Sequence, residues 1–454
     1  MNLDLSSEDT RAYVKQISTE SLGDHSYIVV VRDEAVAIDI QRDLDRFEEV
    51  VSDLAVSLIA VFETHIHNDY VSGGKRLADI HSAAYVLPAD TGAPYDHTPL
   101  SDGETFGVGG WVMRAMHTPG HTHNHTSYIL ESPSGPVAIF TGGSMLVGAV
   151  GRSDLLGPDH TEQLLKDQFD SMHRIADELP DPSLVAPTHG AGSFCAAGDV
   201  SATTSTIGEE KLHNPALIAP SAAAFGMSQL MAYKRYPTYY RQMAPANLEP
   251  IGKPPTGVLP VIRTPGEIRG VTVIDVRAFV DFAEGHIPGS LSFEISNDDA
   301  VYMGWTLEWA SPVVLVGDSD QAETVRIHLQ RIGWDDVVGR IDPRSLGLFA
   351  DGELATTEVV DFADLGDVMP HAVLDVRDPV EQGSGVIPGA DLAHLADVAA
   401  QPDLYVHDGE VIVYCASGYR SGIAASFIEA AGGTAIVVKD DLGKFQGSLV
   451  TPAT

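Results

Sequence analysis

The chain is poor in cysteine and in positive charge, and it has no long apolar run. Cys195 and Cys415 are the only cysteines in 454 residues. A disulfide framework is thereby excluded, and a reducing cytoplasm is the expected setting. Lys and Arg number 27 against 64 Asp and Glu, giving a formal net charge of -37 and a pI of about 4.6. Such a surface repels nucleic acid and anionic membrane, so neither is expected as a partner. No stretch reaches the roughly 18 apolar residues that span a bilayer. The opening MNLDLSSEDT has neither a basic segment nor an apolar core, so no secretory signal is expected there.

What is present points to a multidomain globular protein. Hydrophobic residues make up 44%, too many for a disordered chain. The length exceeds what one core usually holds, so two to four domains are expected. The first half reads as short strands joined by turns: SYIVVV and AVAID flank the polar tripeptide RDE as a hairpin, and SLIAVF, AAYVL, WVMRAM, TSYIL and PVAIFTGG follow. Residues 159–179 read as a helix, capped by Asp159 or Thr161 and stopped by Pro180. Strands in runs, broken by helices, suggest sheet on sheet with helices outside. Residues 213–262 are rich in Ala, Pro and Tyr, and 213–255 read as a helical, Pro-rich connecting segment, with a domain boundary near Pro255.

Beyond that boundary the chain repeats itself. Asp275-Val276-Arg277 and Ile287-Pro288-Gly289 recur as Asp375-Val376-Arg377 and Ile387-Pro388-Gly389. Each copy continues into an apolar run, PVVLVGD or VIVYCAS, and then into a helical pattern. This alternation predicts two α/β domains of about a hundred residues, each built on a parallel sheet. In the second copy Cys415 ends a strand, and CASGYRS leads into a helix. Backbone N–H groups in such a loop can point inward and stabilise an anion, Gly418 lets the loop curl, and Arg420 adds positive charge. The expected catalytic pair is therefore Cys415 and Arg420, with Ala416, Ser417, Gly418, Tyr419 and Ser421 forming the cradle. Arg420 lies five residues after Cys415, a loop too short to wrap a phosphate and better suited to sulfur. In the first copy Gly317 stands at the cysteine position, so that copy forms no persulfide.

The first half carries a second constellation. ETHIHNDYVSGG places His65, His67 and Asp69 on alternate positions, and His121 and His189 each lie beside a glycine further on. Imidazoles with a carboxylate suit zinc or iron. Cys195 has no cationic neighbour in sequence and reads as a structural thiol. Arg152 and Asp154 read as a loop-locking ion pair. Tyr233 to Tyr240 read as packing residues or as the lining of a substrate channel.

The order of ETHIHNDYVSGG, TPGHTHNHTSY, GRSDLLGPDHTEQL, PTHGAGS and STIGEEKLHNPAL resembles the metallo-β-lactamase fold, and more narrowly persulfide dioxygenases and glyoxalase II. The repeat, with DVR, GHIPG and the CxxGxR loop, is similar to a tandem rhodanese pair. The resemblance implies an α/β chain: an αββα metallo-β-lactamase domain over residues 1–212, a connector over 213–255, and rhodanese-like domains over 256–352 and 353–454. It implies one Fe(II) or Zn(II) at His65 and His121. The aspartate that completes an iron site in that family should fall in FTGD, but this chain reads FTGG, with Gly143 at the place. Tyr70 likewise replaces a second-metal ligand, leaving only Asp69 and His189 there. What remains is a three-imidazole set, His65, His67 and His121. Three functions follow for this domain: persulfide oxidation at a mononuclear centre, thioester hydrolysis of the glyoxalase II type, or a metal-free scaffold with non-catalytic rhodanese modules. The expected partners are a small persulfide or thiosulfate, an acceptor thiol, and further copies of the chain in a homo-oligomer.

Overall fold

The computed structural model describes residues 2–6, 10–197, 202–249, 252–350, 352–365 and 372–452. The chain divides into two compact units, one of residues 1–254 with 330–333, the other of 255–329 with 334–454.

The first unit is built from two facing sheets. Seven strands from Asn2–Asp4 to Thr98–Leu100 form one sheet in chain order, and six strands between Thr105–Val108 and Ser205–Thr206 form the other. The period-two pattern of the strand Asp24–Val31 explains the layering. Tyr27, Val29 and Val31 point into the core between the sheets, where they meet Met113, Tyr128 and Phe140. Ile28 and Val30 point outward, under Phe47, Val51 and Leu77 of two covering helices. The second sheet is covered by the helix Pro158–Glu178 through Leu165, Met172 and Ile175. Helix, sheet, sheet, helix is the αββα order expected.

Two readings of the sequence need correction. The helix begins at Pro158 with Gly157 before it, so neither Asp159 nor Thr161 is the cap. Pro158 holds the first helical position, where its missing N–H costs nothing, and Thr161 instead donates to the Gly157 carbonyl at 3.0 Å. Residues 213–249 are no free connector: Ala216 and Phe225 belong to the same core cluster as Met172 and Ile175. Pro250 and Ile251 lie outside the described residues.

The second unit holds two parallel sheets of matching order. Leu291–Ser292, Thr272–Asp275, Val313–Val316 and Val337–Ile341 form the first. Asp391–Leu392, Ala372–Asp375, Glu410–Tyr414, Thr434–Val438 and Glu358–Val360 form the second. Strands of a parallel sheet are covered on both faces, hence the unbroken apolar run Val313–Val316, all buried. The repeated Asp-Val-Arg is a clasp. Arg277 grips Asp275 through two nitrogens and reaches the Gly285 carbonyl (2.9 Å); Arg377 does the same with Asp375 and Gly385 (2.7 Å). His286 stacks on Phe282 at 3.7 Å and bonds its carbonyl, a packing role that leaves Val386 free to replace it in the second copy.

Candidate functional site

In the first unit the histidines lie in loops leaving the C-terminal ends of three strands: Ser57–Phe62, Trp111–His117 and Leu184–Pro187. Their tautomers are fixed by their neighbours. The Thr64 hydroxyl donates to Asp39 at 2.8 Å, so it accepts the His65 Nδ1 proton at 2.9 Å. His121 donates from Nδ1 to the Arg152 carbonyl at 2.8 Å, and His189 from Nδ1 to Asp24 at 2.9 Å. Each ring is left with a lone pair on Nε2, and all three Nε2 atoms are buried without a partner. The three ligand atoms lie within 4.8 Å of one another. Burial holds His65 and His121 far below the ordinary imidazole pKa and lowers His189 as well, so the rings are neutral, as metal ligation requires. Converging orphan lone pairs backed by hydrogen-bonded Nδ1 groups are what a divalent cation needs. The residues present fit one.

The set differs from the expected one. His189, not His67, joins His65 and His121. His67 turns its Nε2 to Glu63 (3.0 Å), Asp39 (3.2 Å) and the Tyr70 hydroxyl (2.9 Å). Burial would lower its pKa, but the two carboxylates outweigh that and push it up to about 10. Its Nδ1 is unpartnered, and His67 also lies in a group with Asp69 and His189. A ring kept protonated offers that group no lone pair, so the set with His65 and His121 is the one suited to a metal. Asp69 and Asp24 are both pushed up to about 7, by burial first.

Gly143 supplies no carboxylate. A Cβ there would run into the His121 ring, and the Gly143 amide is held by His125 Nε2 at 3.0 Å. The ring of His121 thus occupies the space a side chain at 143 would enter. The supposed connector buttresses the metal loop: Asn247 donates to the His67 and Tyr70 carbonyls (3.0 and 2.8 Å), and Tyr239 to the Asp69 carbonyl (3.1 Å). Arg152 does lock its loop, bidentate on Asp154 at 2.7 and 2.8 Å. Arg152 also acts on Cys195, a cationic neighbour invisible in sequence, yet burial still pushes that thiol well up.

In the second unit Cys415 follows the strand Glu410–Tyr414 and is 1% exposed. The Gly418 N–H points at its sulfur from 3.1 Å, at the start of the helix Tyr419–Ala430, and Ser421 Oγ lies 3.7 Å away. Gly418 is required for this turn. Its φ is +92°, and a Cβ would sit 2.8 Å from Lys439 Cα. The Ala416 carbonyl accepts from Leu442, Ser417 is exposed, and Tyr419 donates to the Glu294 carbonyl at 3.0 Å. Arg420 departs from expectation. It is no free charge but is held by Glu381 at 2.6 and 2.8 Å. Nothing within the loop signals Glu381, which lies in another element. In the first copy the equivalent helix start is closed by its own side chain: Asp318 accepts from the amides of Asp320 and Gln321, both at 2.9 Å.

The first unit is thus a metallo-β-lactamase-type sandwich with a histidine centre at one sheet end, and the second a tandem α/β pair with one cysteine loop. The rhodanese-like domain family matches residues 264–342 and 356–447. A probable polyketide biosynthesis zinc-dependent hydrolase, BaeB of Bacillus velezensis, is 30% identical over 39% of this chain and 79% of its own. The human mitochondrial persulfide dioxygenase ETHE1 is 27% identical over 40% of this chain and 66% of its own. A crystal structure of a metallo-β-lactamase from Staphylococcus aureus superposes with a TM-score of 0.67 at 28% identity, covering 73% of this chain and 99% of that one. The chain belongs to the metallo-β-lactamase-fold proteins fused to rhodanese-like domains. Among the described residues, no helix is long and apolar enough to cross a membrane.

Proposed function

We propose that this protein handles sulfane sulfur in a reducing cytoplasm, with Cys415 as the acceptor. The observation that carries the reading is the Gly418 amide aimed at the Cys415 sulfur from a helix start. The Cys415 thiolate attacks the terminal sulfur of a donor. A new S–S bond forms to Sγ, the donor's S–S bond breaks, and the leaving group departs with the electron pair. The Gly418 amide and the helix N-terminus hold the persulfide anion. An acceptor thiolate then attacks the outer sulfur and regenerates Cys415. Arg420 positions the loop through Glu381 as well as contributing charge. Cys415→Ser is expected to abolish sulfur transfer to cyanide, and full activity in that variant would end the proposal.

For the first unit we propose a mononuclear metal-dependent reaction on a small persulfide. His65, His121 and His189 would hold the cation, and the kinship with a persulfide dioxygenase supports the substrate class. A bound divalent metal supplies Lewis acidity and, when redox-active, oxygen chemistry. Asp39, Asp24, Thr64 and Thr188 orient the imidazoles and keep their Nδ1 protons in place. The all-imidazole set and the kinship with a zinc-dependent hydrolase favour thioester hydrolysis as the second reading. Metal analysis decides between them: iron with oxygen uptake on glutathione persulfide supports the first, zinc with cleavage of a glutathione thioester the second. Metal at trace level overturns both.

A further inference from the structure

Two cations flank the cysteine loop, and each is already paired. Arg420 is held by Glu381 through two contacts. Lys439 lies against Gly418 and gives its Nζ to Glu294 at 2.6 Å. Glu294 belongs to the first rhodanese-like copy, the one without a cysteine. So does Asp298, a third carboxylate that acts on Arg420. Neither cation beside the cysteine loop is left unpaired. The same part of the first copy packs nearly buried aromatic rings beside the loop. Tyr302 stacks on Trp305 at 6.0 Å and lies 5.7 Å from Tyr419, while Trp305 lies 4.8 Å from His394.

We propose that the first rhodanese-like copy is the specificity wall of the Cys415 site, selecting an organic sulfane donor with an apolar or aromatic substituent over the inorganic dianion thiosulfate. This rests on the reading of Cys415 as a sulfur acceptor. A dianion entering a nearly buried site needs unspent positive charge to offset its lost hydration. Here it must first compete with Glu294 for Lys439 or with Glu381 for Arg420. A monoanionic organic donor carries half that charge and gains contact with the aromatic rings. The transfer itself is unchanged. Cys415 takes the terminal sulfur, and an organic thiolate or sulfinate leaves with the electron pair.

The test follows persulfide formation on the full chain by intact mass spectrometry, with thiosulfate and benzenethiosulfonate as the donors. Glu294→Gln keeps the side chain's shape and releases Lys439. The rate with thiosulfate is expected to rise about fivefold, and that with benzenethiosulfonate to stay within about twofold. Asp298→Asn is expected to move the donor ratio in the same direction. Tyr302→Ala is expected to slow benzenethiosulfonate and spare thiosulfate. A donor ratio unchanged in all three variants overturns the proposal. No adduct from either donor in the wild-type chain overturns instead the assignment of Cys415 as acceptor.

Discussion

Replacing Gly418 with alanine probes the sulfur cradle more sharply than removing a charge. Gly418 has φ +92°, where a Cβ-bearing residue costs about 1 kcal/mol or more. The added Cβ would also lie 2.8 Å from Lys439 Cα and 2.9 Å from Lys439 Cδ. Backbone cannot yield as a flexible side chain does, so the loop must turn, and the amide 3.1 Å from Cys415 Sγ turns with it. Losing one preorganised donor to a developing anion costs on the order of 100-fold in rate. Gly418→Ala is therefore expected to slow sulfur transfer to cyanide by about that factor. The melting temperature should fall by a few degrees only, since about 1 kcal/mol is a small part of a domain's stability. A folded Gly418→Ala protein with the wild-type transfer rate would refute the claim that this amide holds the sulfur.

Two further outcomes are expected. His189→Ala should lower bound metal, measured by elemental analysis, as much as His65→Ala does, because both offer an unpartnered Nε2 to one cluster; full metal content in His189→Ala would contradict the assigned set. Glu429 is pushed up to about 7, chiefly by burial, although Thr357 donates to it at 2.8 Å. The folded chain thus keeps a proton that the unfolded chain releases above about pH 4.5. The resulting stability is fully present below that pH and is lost as pH rises through about 7, roughly 3 kcal/mol in all. Glu429→Gln should flatten this slope in urea unfolding followed by fluorescence, where Trp305, Trp309 and Trp334 all report on the second unit. A slope unchanged in the variant would contradict the assignment to Glu429.

Much of this was legible in the sequence because it is local. The unbroken apolar run from Tyr27 to Val31 marks a strand buried on both faces, and the recurring Asp-Val-Arg marks a clasp closed within two residues. The cysteine loop is likewise one short segment, with its glycine and helix start in order. What escaped is set by contacts far apart along the chain. His67 and His189 stand on an equal footing as letters. Glu63, in the same motif, and Asp39 draw His67 Nε2 aside, while Asp24 orients His189, and only the fold brings in Asp39 and Asp24. Residues 213–249 have a linker's composition, yet Asn247 reaches the His67 carbonyl. Arg420 looked like a free charge because its partner, Glu381, lies in a different element.

The most direct measurement is the intact mass of the full chain after exposure to a sulfane donor, with peptide mapping of the product. The expected result is a gain of one sulfur atom on Cys415, absent in Cys415→Ser and discharged by an acceptor thiol. Sulfur carried on Cys195 instead, or a Cys415 that stays unmodified with every donor, would contradict it.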